Sequence, residues 1–440
     1  MLGAATLLMF PALLFALFIG FPVAFAMIAV AFGFGYWAFG PSIIYQFMQK
    51  VDAMASNFVL AAVPLFIFMG AMLERAGIAE RLFEAIHLWT RRLPGGLAIG
   101  TVLMCVVFAA SSGVIGATET VVGLLAIPVM LKYQYDKGLI SGTICAGGSL
   151  GTIIPPSVVV VLLGPVANVS IGDLMFGMLF PGLLLALLYI LYILALCFIR
   201  PEAGQRIPPS PDDPPFLEKC RISIVALWPP MLLIAAVLGS MLFGIAAPTE
   251  AAALGALGAL FLSVIYGDFT LRVLHESLVK TLKVTVMILT ILMAGNMFAG
   301  VFIAGGGVQT TEQFIQHANL SPWLTLFLFL FVCFLAGFVL DWISILLIFI
   351  PVFIPLVKTM GFDPVWFCVL FLIVIQTSYL SPPMAPAIFY LRGIAPPEIT
   401  IQHMFRGVVP FIIIQVICLA IVAFYPPLVL WLPSVLLGFK

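Results

Sequence analysis

Two double prolines, each inside an apolar stretch, constrain this chain more than any other feature of its sequence. Residues 147–157 read Gly-Gly-Ser-Leu-Gly-Thr-Ile-Ile-Pro-Pro-Ser, and residues 376–384 read Gln-Thr-Ser-Tyr-Leu-Ser-Pro-Pro-Met. Proline lacks the backbone donor and its ring clashes with the preceding turn, so neither stretch continues a helix. The freed carbonyls are tolerated at membrane depth only against protein or a water-filled cavity. Each stretch therefore predicts a broken helix that lines a site.

The composition places both breaks inside a membrane. Of 440 residues, 64% are hydrophobic and only 8% are charged. Too little charge remains to cover the surface of a soluble domain of this length, so we expect a polytopic membrane protein in a lipid bilayer. A net charge of zero argues against nucleic acid as a partner. The seven cysteines are scattered without the spacing of metal ligands and predict no transition-metal site.

The landmarks of the first half return in the second half in the same order. Pro155-Pro156 and Pro382-Pro383 lie about half the chain apart. We expect a first repeat over 1–200, a polar, proline-rich linker over 201–222, and a second repeat over 223–440. The predicted fold class is an all-α polytopic membrane protein with two inverted-topology repeats. Each repeat holds about five transmembrane helices, one of them broken, and one re-entrant hairpin.

Hydrophobic periodicity predicts the elements of each repeat. Apolar spans are expected at 2–19, 22–38, 53–73 and 173–199, and again at 224–243, 248–266 and 284–304. Hairpins are expected at about 95–132 and 321–357, and broken helices at about 139–165 and 364–391. Amphipathic interfacial helices are expected at 74–92 and 268–283, and a short polar loop around Lys50 and Asp52. One long kinked helix is the alternative to the first hairpin, and a solvated connector is the alternative to 74–92.

The basic residues predict the orientation of the chain. Each half has an odd number of crossings, so the halves must be inverted relative to each other. An external N-terminus leaves only Lys50, Lys358 and Lys440 outside, of 18 lysines and arginines, which satisfies the positive-inside rule. Both termini are then expected outside, and the first hairpin opens from the cytoplasmic side.

Residues 248–258, Pro-Thr-Glu-Ala-Ala-Ala-Leu-Gly-Ala-Leu-Gly, resemble the PTEAAAxGA signature of the large membrane subunit (M subunit, DctM-like) of tripartite ATP-independent periplasmic (TRAP) transporters. Residues 149–157, Ser111-Ser112 and 381–383 are similar to that subunit as well. The resemblance implies an elevator-type secondary transporter of the ion-transporter superfamily. It implies sodium-driven import of organic acids across the bacterial inner membrane, and in that membrane the charge distribution above predicts both termini in the periplasm. It also implies two partners, a small four-helix membrane subunit and a periplasmic substrate-binding protein.

Polar residues at the breaks and hairpin tips predict two sodium sites. Na⁺ takes hard oxygen ligands, which unwound carbonyls and hydroxyls at half-helix ends can supply. The predicted ligands are Ser111, Ser112, Gly113, Ser149, Gly151 and Pro155 for the first site, and Gly337, Asp341, Ser344, Thr377, Ser378 and Ser381 for the second. The alternative for each hydroxyl is a hydrogen bond back to the preceding turn, as is common in membrane helices.

A carboxylate substrate is expected between the hairpin tips, where half-helix N-termini can offer backbone donors. The candidate substrate-binding residues are Ser112, Thr118, Glu119, Thr152, Pro156, Ser381 and Pro382. Ser149 and Ser381 are expected on opposite sides of one cavity near the bilayer midplane. Glu119 and Asp341 are functional candidates because ionisable groups at membrane depth are costly. Glu250 is expected to be structural, in the first turn of a helix that Pro248 opens.

Other functions remain open at this point. A stand-alone sodium–dicarboxylate symporter or a sodium–proton antiporter of the same superfamily would share the hairpins without needing a binding protein. Proton coupling through Glu119 or Asp341 is the alternative to sodium. An intramembrane enzyme would use either carboxyl as a general acid, but no base, nucleophile or metal cluster accompanies them. No GxxxxGK[ST] motif occurs, so we expect no nucleotide-driven step and no cofactor besides the coupling Na⁺.

Overall fold

The chain folds almost entirely into α-helices. The computed structural model describes residues 2–112, 116–208, 214–383, 385–436 and 438, and no β-strand occurs in these ranges. Within them, seven helices are long and apolar enough to cross a membrane, and further shorter apolar helices accompany them. Because helices satisfy their own backbone groups, this architecture suits a bilayer. The prediction of an all-α polytopic membrane protein is confirmed.

The helices that precede the linker are these, with the bounds that the structure gives. They are α1 Leu2–Thr6, α2 Met9–Phe18, α3 Val23–Phe39, α4 Ser42–Ala55, α5 Ala62–Arg75, α6 Ile78–Thr90, α7 Gly96–Ser112, α8 Ala117–Lys132, α9 Lys137–Ser149, α10 Val158–Ala167, α11 Ile171–Gly177 and α12 Leu179–Ile199. Short 3₁₀ turns lie at Phe58–Ala61, Leu150–Thr152 and Pro201–Ala203.

The helices that follow the linker complete the fold. They are α13 Phe216–Leu242, α14 Pro248–Ile265, α15 Leu271–Ala304, α16 Gly307–His317, α17 Pro322–Ala336, α18 Trp342–Thr359, α19 Pro364–Leu380, α20 Pro386–Ile394, α21 Ile401–Phe424 and α22 Pro427–Leu436. We call α7–α8 the first hairpin and α17–α18 the second hairpin.

The prediction of a polar loop around Lys50 and Asp52 is wrong, because both residues lie within α4. Ile43 of this helix is buried, and Phe47, Val51 and Met54 pack against the hydrophobic core at helical spacing. A few polar residues were mistaken for a loop, although the apolar face beneath them folds as a helix. Helix α4 ends at Ala55, and Asn57 caps the 3₁₀ turn that follows, where its side chain accepts a hydrogen bond from Val59 N at 3.1 Å.

Both predicted amphipathic helices also differ from the structure. The expected helix 74–92 is interrupted at Gly77, which adopts a left-handed φ of 59° between α5 and α6. Glycine reaches that conformation without the steric cost of a Cβ. The expected helix 268–283 is no separate element, because the 34-residue α15 runs through Lys283 without a break. Between 271 and 294 the sequence has neither glycine nor proline to end it.

Helices α3, α5, α13, α14 and α15 pack on one another, and we call them the framework helices. The contact between α14 and α5 is close, since a Cβ on Gly255 would lie 2.6 Å from Met69 Sδ. Glu250 Oε2 accepts a hydrogen bond from Ala247 N at 2.8 Å at the start of α14. The prediction that Pro248 opens a helix with Glu250 in its first turn is confirmed.

Buried His87 lies where α6 packs on α7. A Cβ on Gly100 would lie 2.6 Å from His87 Nδ1, and the Phe83 ring stands edge-on at 3.9 Å between centroids. Neither ring nitrogen has a hydrogen-bond partner among the described residues. Burial lowers the pKa of His87 from 6.5 to about 4, so the imidazole is neutral at pH 7.

The two hairpins and the two broken helices form a second body of packed helices. The first hairpin contacts α9 and the second contacts α19, the broken helix that follows it. The contacts also cross between the halves of the chain, because α8 packs on α20 and α18 packs on α10. Helix α21 crosses α9 at backbone distance, and a Cβ on Gly407 would lie 2.8 Å from Gly138 C.

Candidate functional site

The first break lies fully inside the protein. Helix α9 ends at Ser149, a 3₁₀ turn follows, and α10 begins at Val158. The Pro155–Pro156 peptide bond is cis, and every residue from 150 to 157 is buried. Thr152 Oγ1 donates to Ser149 O at 2.9 Å. Ser157 Oγ lies 3.3 Å from both Gly151 O and Thr152 O, so hydroxyls satisfy the carbonyls that the break leaves free.

The second break is more open than the first. Ser381 leaves α19 in an extended conformation and is buried, whereas Pro382 and Pro383 are exposed. Their peptide bond is also cis. The predicted ligands before it bond back to their own helix. Thr377 Oγ1 donates to Ile373 O, Ser378 Oγ to Ile375 O, and Ser381 Oγ to Thr377 O, each at 2.8 Å.

These hydrogen bonds decide what the hydroxyls at the breaks can offer. Ser149 Oγ likewise donates to Ala146 O at 2.8 Å, so the hydrogens of the described hydroxyls are committed to backbone carbonyls. This is the alternative that the sequence left open for each of them. A hydroxyl oxygen keeps two lone pairs after donating its hydrogen. Each of these oxygens can therefore accept a hydrogen bond or ligate a cation with a fixed orientation.

The first hairpin brings a buried carboxyl against the first break. Glu119 Oε2 accepts a hydrogen bond from Gly116 N at 2.7 Å, and Oε1 has no hydrogen-bond partner among the described residues. The side chain packs directly on Gly148 of α9, where a Cβ would overlap with it. Thr118 is buried beside it. Gly113 and the side chains of Ser111 and Ser112 lie outside what the structure describes.

The second hairpin brings predicted ligands together at the second break. Gly337 packs on Ser378 so closely that a Cβ there would overlap with the serine side chain. Asp341 caps α18, because Oδ2 accepts a hydrogen bond from Ile343 N at 3.1 Å and Oδ1 accepts one from Ser344 Oγ. The two contacts lie on either side of the hairpin turn. Together with the hydrogen bond from Ser381 to Thr377, all six residues predicted for the second sodium site thus lie in three contacting pairs.

A cavity of about 590 Å³ lies between part of the second hairpin and the framework helices α3 and α15. Gly337, Asp341 and Ser378 line one side of it, and residues of α3 and α15 line the other. Ser149 and Ser381 are not among its lining residues, so the structure does not place these two serines across this cavity. No lysine, arginine or histidine belongs to the lining in the described part of the chain.

Two tyrosines that the sequence did not single out separate this cavity from the first hairpin. Tyr379 and Tyr390 both line it. A Cβ on Gly116 would lie 3.0 Å from Tyr390 Cζ. The Tyr379 hydroxyl interacts electrostatically with Glu119 and has no hydrogen-bond partner among the described residues. Its position inside the polar stretch 376–384 was the available signal, whereas Tyr390 lies beyond that stretch.

Gln376 is a third residue that the prediction missed. Its Nε2 donates to Ser149 Oγ at 2.9 Å, across 227 residues of sequence. Each of the two residues stands six positions before its own double proline. The hydrogen bond therefore joins the two broken helices directly.

Comparison with known proteins gives matches over nearly the whole chain. A family described as "Tripartite ATP-independent periplasmic transporter, DctM component" matches residues 10–428. The chain is 30% identical to the C4-dicarboxylate TRAP transporter large permease protein DctM of Pseudomonas aeruginosa, over 90% of this chain and 91% of that protein. It is 29% identical to the sialic acid TRAP transporter large permease protein SiaM of Vibrio cholerae, over 96% and 97%. It is 30% identical to the ectoine/5-hydroxyectoine TRAP transporter large permease protein UehC of Ruegeria pomeroyi, over 98% of both chains.

The fold is also shared with a solved transporter. The crystal structure of the Alcanivorax borkumensis YdaH transporter aligns with a TM-score of 0.62, over 96% of this chain and 99% of that one, at 17% identity. That identity is low, so the likeness concerns the fold alone. The relatives are transport permeases rather than enzymes, which removes the intramembrane enzyme from consideration. On the family match over 10–428, the chain belongs to the DctM family, the large permease subunits of TRAP transporters.

Proposed function

We propose that this permease imports an organic acid together with sodium ions, in the bacterial inner membrane. Its relatives are named for C4-dicarboxylates, sialic acid and ectoine, compounds that all carry a carboxylate. We further propose a small membrane subunit and a periplasmic substrate-binding protein as its partners, because the family name describes a three-part periplasmic system. The rival is a stand-alone symporter, which would transport without the binding protein.

One observation carries the sodium proposal. Asp341 and Ser378 line the same cavity. Asp341 Oδ2 accepts a hydrogen bond from Ile343 N, and Ser378 Oγ donates its hydrogen to Ile375 O, so both side chains are held in place by their own helices. Their remaining lone pairs are preoriented oxygen ligands, which Na⁺ requires. We propose a second sodium site at Gly337, Asp341, Ser344, Thr377, Ser378 and Ser381, and a first site at Ser111, Ser112, Gly113, Ser149, Gly151 and Pro155.

The substrate is proposed to bind between the hairpin tips. The candidate residues are Ser112, Thr118, Glu119, Thr152, Pro156, Ser381 and Pro382. The cavity lining offers no basic side chain among the described residues. An anion would therefore be held by backbone donors at half-helix N-termini and by bound sodium. Two sodium ions neutralise a dicarboxylate, which otherwise enters a negative cell interior at a cost of about 2.3 kcal/mol per charge and 100 mV.

We propose that the chain consists of two inverted repeats and works as an elevator. In support, the order hairpin, broken helix, long helix occurs before and after the linker, and the framework helices pack on one another, with α15 also in contact with α18 of the second hairpin. The cavity includes the first turn of α3, Pro22 to Phe25, and Tyr390 of α20. Both segments face the cytoplasm when both termini are periplasmic. In that orientation the structure is the inward-facing state.

The test is uptake into proteoliposomes with both partner proteins present. The central variants are Ser381→Ala and Asp341→Asn, and Ser240→Ala is the matched control. Ser240 makes the same kind of hydrogen bond, to Val237 O at 2.9 Å, but stands on α13 away from the cavity. We expect uptake to follow an imposed sodium gradient, to fall at least tenfold in both central variants, and to persist in the control.

Two results would contradict the proposal. Uptake that ignores sodium, follows a proton gradient and is lost only in Asp341→Asn would assign the coupling to protons. Undiminished uptake after omission of the binding protein would instead favour the stand-alone symporter. Each result overturns one part of the proposal and leaves the family assignment unaffected.

A further inference from the structure

A second cavity, of about 810 Å³, opens at the end of α12. Its walls are the loop that joins the first hairpin to α9, the last turns of α12 with the 3₁₀ turn after it, and the first turns of α21. Gly138 and Gly407 both line it, and α9 and α21 meet there at backbone distance, which closes the cavity between these two helices. It shares no lining residue with the cavity beside the second hairpin. When both termini are periplasmic, its mouth faces the cytoplasm.

Two basic and two acidic side chains line this cavity. Arg200 follows α12, Glu202 lies in the 3₁₀ turn, Asp136 precedes α9, and Arg406 lies in the second turn of α21. All four residues are exposed, so a ligand can reach them. Among the described residues, none of the four forms an ion pair with another. The Tyr192 hydroxyl interacts electrostatically with both Asp136 and Arg200. Opposite charges therefore share one cavity without neutralising each other by direct contact.

The remaining wall of the cavity is apolar and continues into the membrane-facing surface. The Tyr192 and Phe411 rings meet edge-on at 5.2 Å between centroids and join α12 to α21. The other apolar lining residues are Leu196, Ile199 and Pro410. Ile199 is largely exposed, and so is Ile413, one turn beyond the cavity on α21. In a bilayer such side chains contact acyl chains, so the charged cavity lies at the end of a lipid-facing groove.

We propose that this cavity binds a phospholipid whose headgroup carries both a phosphate and a primary ammonium group, as phosphatidylethanolamine does. Arg200 and Arg406 bind the phosphate, Asp136 and Glu202 accept hydrogen bonds from the ammonium group, and an acyl chain lies along the apolar wall. Basic pockets between transmembrane helices on the cytoplasmic side are typical lipid headgroup sites. The inference rests on the membrane location and proposed orientation of the chain, and it does not depend on sodium coupling.

The mixed charge of the cavity decides between classes of ligand. An anionic lipid without an amine would bring its phosphate to the arginines and leave both carboxylates facing a negative headgroup. A soluble phosphate compound would leave the apolar wall without a partner. Arginines at cytoplasmic helix ends are expected from the positive-inside rule alone, but that rule places no carboxylates beside them. A zwitterionic lipid satisfies all three parts of the lining.

The test is native mass spectrometry of the purified permease together with its small membrane subunit. Three lipids with identical acyl chains are compared: phosphatidylethanolamine, phosphatidylcholine, whose ammonium group has no N–H donor, and phosphatidylglycerol, which has no amine. We expect phosphatidylethanolamine to be retained about tenfold better than either of the others, which corresponds to about 1.4 kcal/mol. Soluble phosphoethanolamine at the same concentration should not displace it.

Substitutions in the lining separate the two halves of the headgroup. Arg406→Gln should lower retention of phosphatidylethanolamine about fivefold, or about 1 kcal/mol. Glu202→Gln should instead reduce its preference over phosphatidylglycerol severalfold, because only the contact with the ammonium group is lost. Arg272→Gln is the control, since that side chain is 87% exposed at the start of α15 and lies outside the cavity lining.

Three results would overturn the inference. Equal retention of the three lipids, or retention unchanged in both Arg406→Gln and Glu202→Gln, would show that the cavity does not read the headgroup. Full displacement by phosphoethanolamine would identify a soluble ligand, and retention only without the small subunit would assign the cavity to that subunit. Uptake without sodium dependence would contradict the proposed coupling and leave this inference standing, because its readout is lipid binding.

Discussion

Replacing Gly148 by alanine should force the first hairpin away from the first broken helix. A Cβ at this position would overlap with Cγ and Cδ of Glu119 and lie 2.9 Å from its Oε1. Helix α9 cannot retreat, because α21 packs on its far side at backbone distance near Gly142. The Glu119 side chain must therefore move, and its hydrogen bond from Gly116 N is lost with it.

The expected cost follows from these two contacts. Overpacking of a close-packed interior costs about 1–3 kcal/mol. Loss of a hydrogen bond to a carboxyl costs roughly 1.5–3 kcal/mol further. With an unfolding entropy of roughly 2.1 cal/mol/K per residue, a chain of 440 residues loses about 1 °C in Tm per kcal/mol. We therefore expect Gly148→Ala to lower the Tm by about 3–6 °C.

The assay is thermal unfolding of the purified protein, followed by tryptophan fluorescence in one detergent. Gly239→Ala is the control, because Gly239 lies inside α13 with nothing within 4 Å of a Cβ, and its Tm should not fall. In a Glu119→Ala background the additional Gly148→Ala change should cost almost nothing. A Gly148→Ala variant that melts within 1 °C of the wild type, or an equal loss in both backgrounds, would show that the contact of Gly148 with Glu119 does not set the cost.

Three further predictions concern stability. The pKa of His87 falls from 6.5 to about 4 on folding. Between these two pH values the unfolded state binds more protons than the folded state, so the free energy of unfolding declines as pH falls, by up to about 1.4 kcal/mol per pH unit. His87→Phe should flatten that part of the Tm profile, and a profile parallel to the wild type would count against it. Glu250→Gln weakens the hydrogen bond from Ala247 N and should lower the free energy of unfolding, followed through the Tm, by about 0.5–2 kcal/mol. Uptake should stay unchanged, and a tenfold loss of uptake would assign Glu250 a role in transport. In Gly407→Ala the new Cβ would overlap with the backbone of Gly138, so the folded yield in size-exclusion chromatography should fall severalfold. Gly393→Ala is the control, because a Cβ there has no atom within 4 Å.

The ends of the helices at the two breaks could be predicted from the sequence because their signal is local. Pro155-Pro156 and Pro382-Pro383 end helices wherever they stand, and the structure has α9 end at Ser149 and α19 at Leu380. Apolar arms too short to cross a bilayer predict a re-entrant hairpin at 95–132. Helices α7 and α8 lie within that range, and the re-entry itself stays a prediction. Pro248 with Glu250 predicted the start of α14 correctly.

Boundaries without such a signal were predicted less well. Lys50 and Asp52 looked like loop residues, although α4 carries them on its polar side. The amphipathic stretch ends at Lys283, which predicted the end of a helix there. Helix α15 nevertheless continues to Ala304, because the change from a polar to an apolar sequence does not itself end a helix. Polarity reports the environment of a residue, and it does not report where the backbone bends.

The contacts that define the site lie beyond any reading of local sequence. Gln376 with Ser149 and Gly337 with Ser378 are tertiary pairs that depend on how the helices cross. The same holds for Tyr379 beside Glu119. Sequence composition predicted which oxygens are available at each break, and only the structure shows which of their hydrogens are already committed.

The most direct test of the account is the entry of ²²Na⁺ itself. Proteoliposomes containing the permease and its small membrane subunit are given labelled sodium and the substrate-loaded binding protein, without a membrane potential. We predict that substrate entry brings in sodium, with at least two ions per molecule of substrate, and that Asp341→Asn lowers this ratio. Substrate uptake at the wild-type rate without any accompanying ²²Na⁺ would contradict the account.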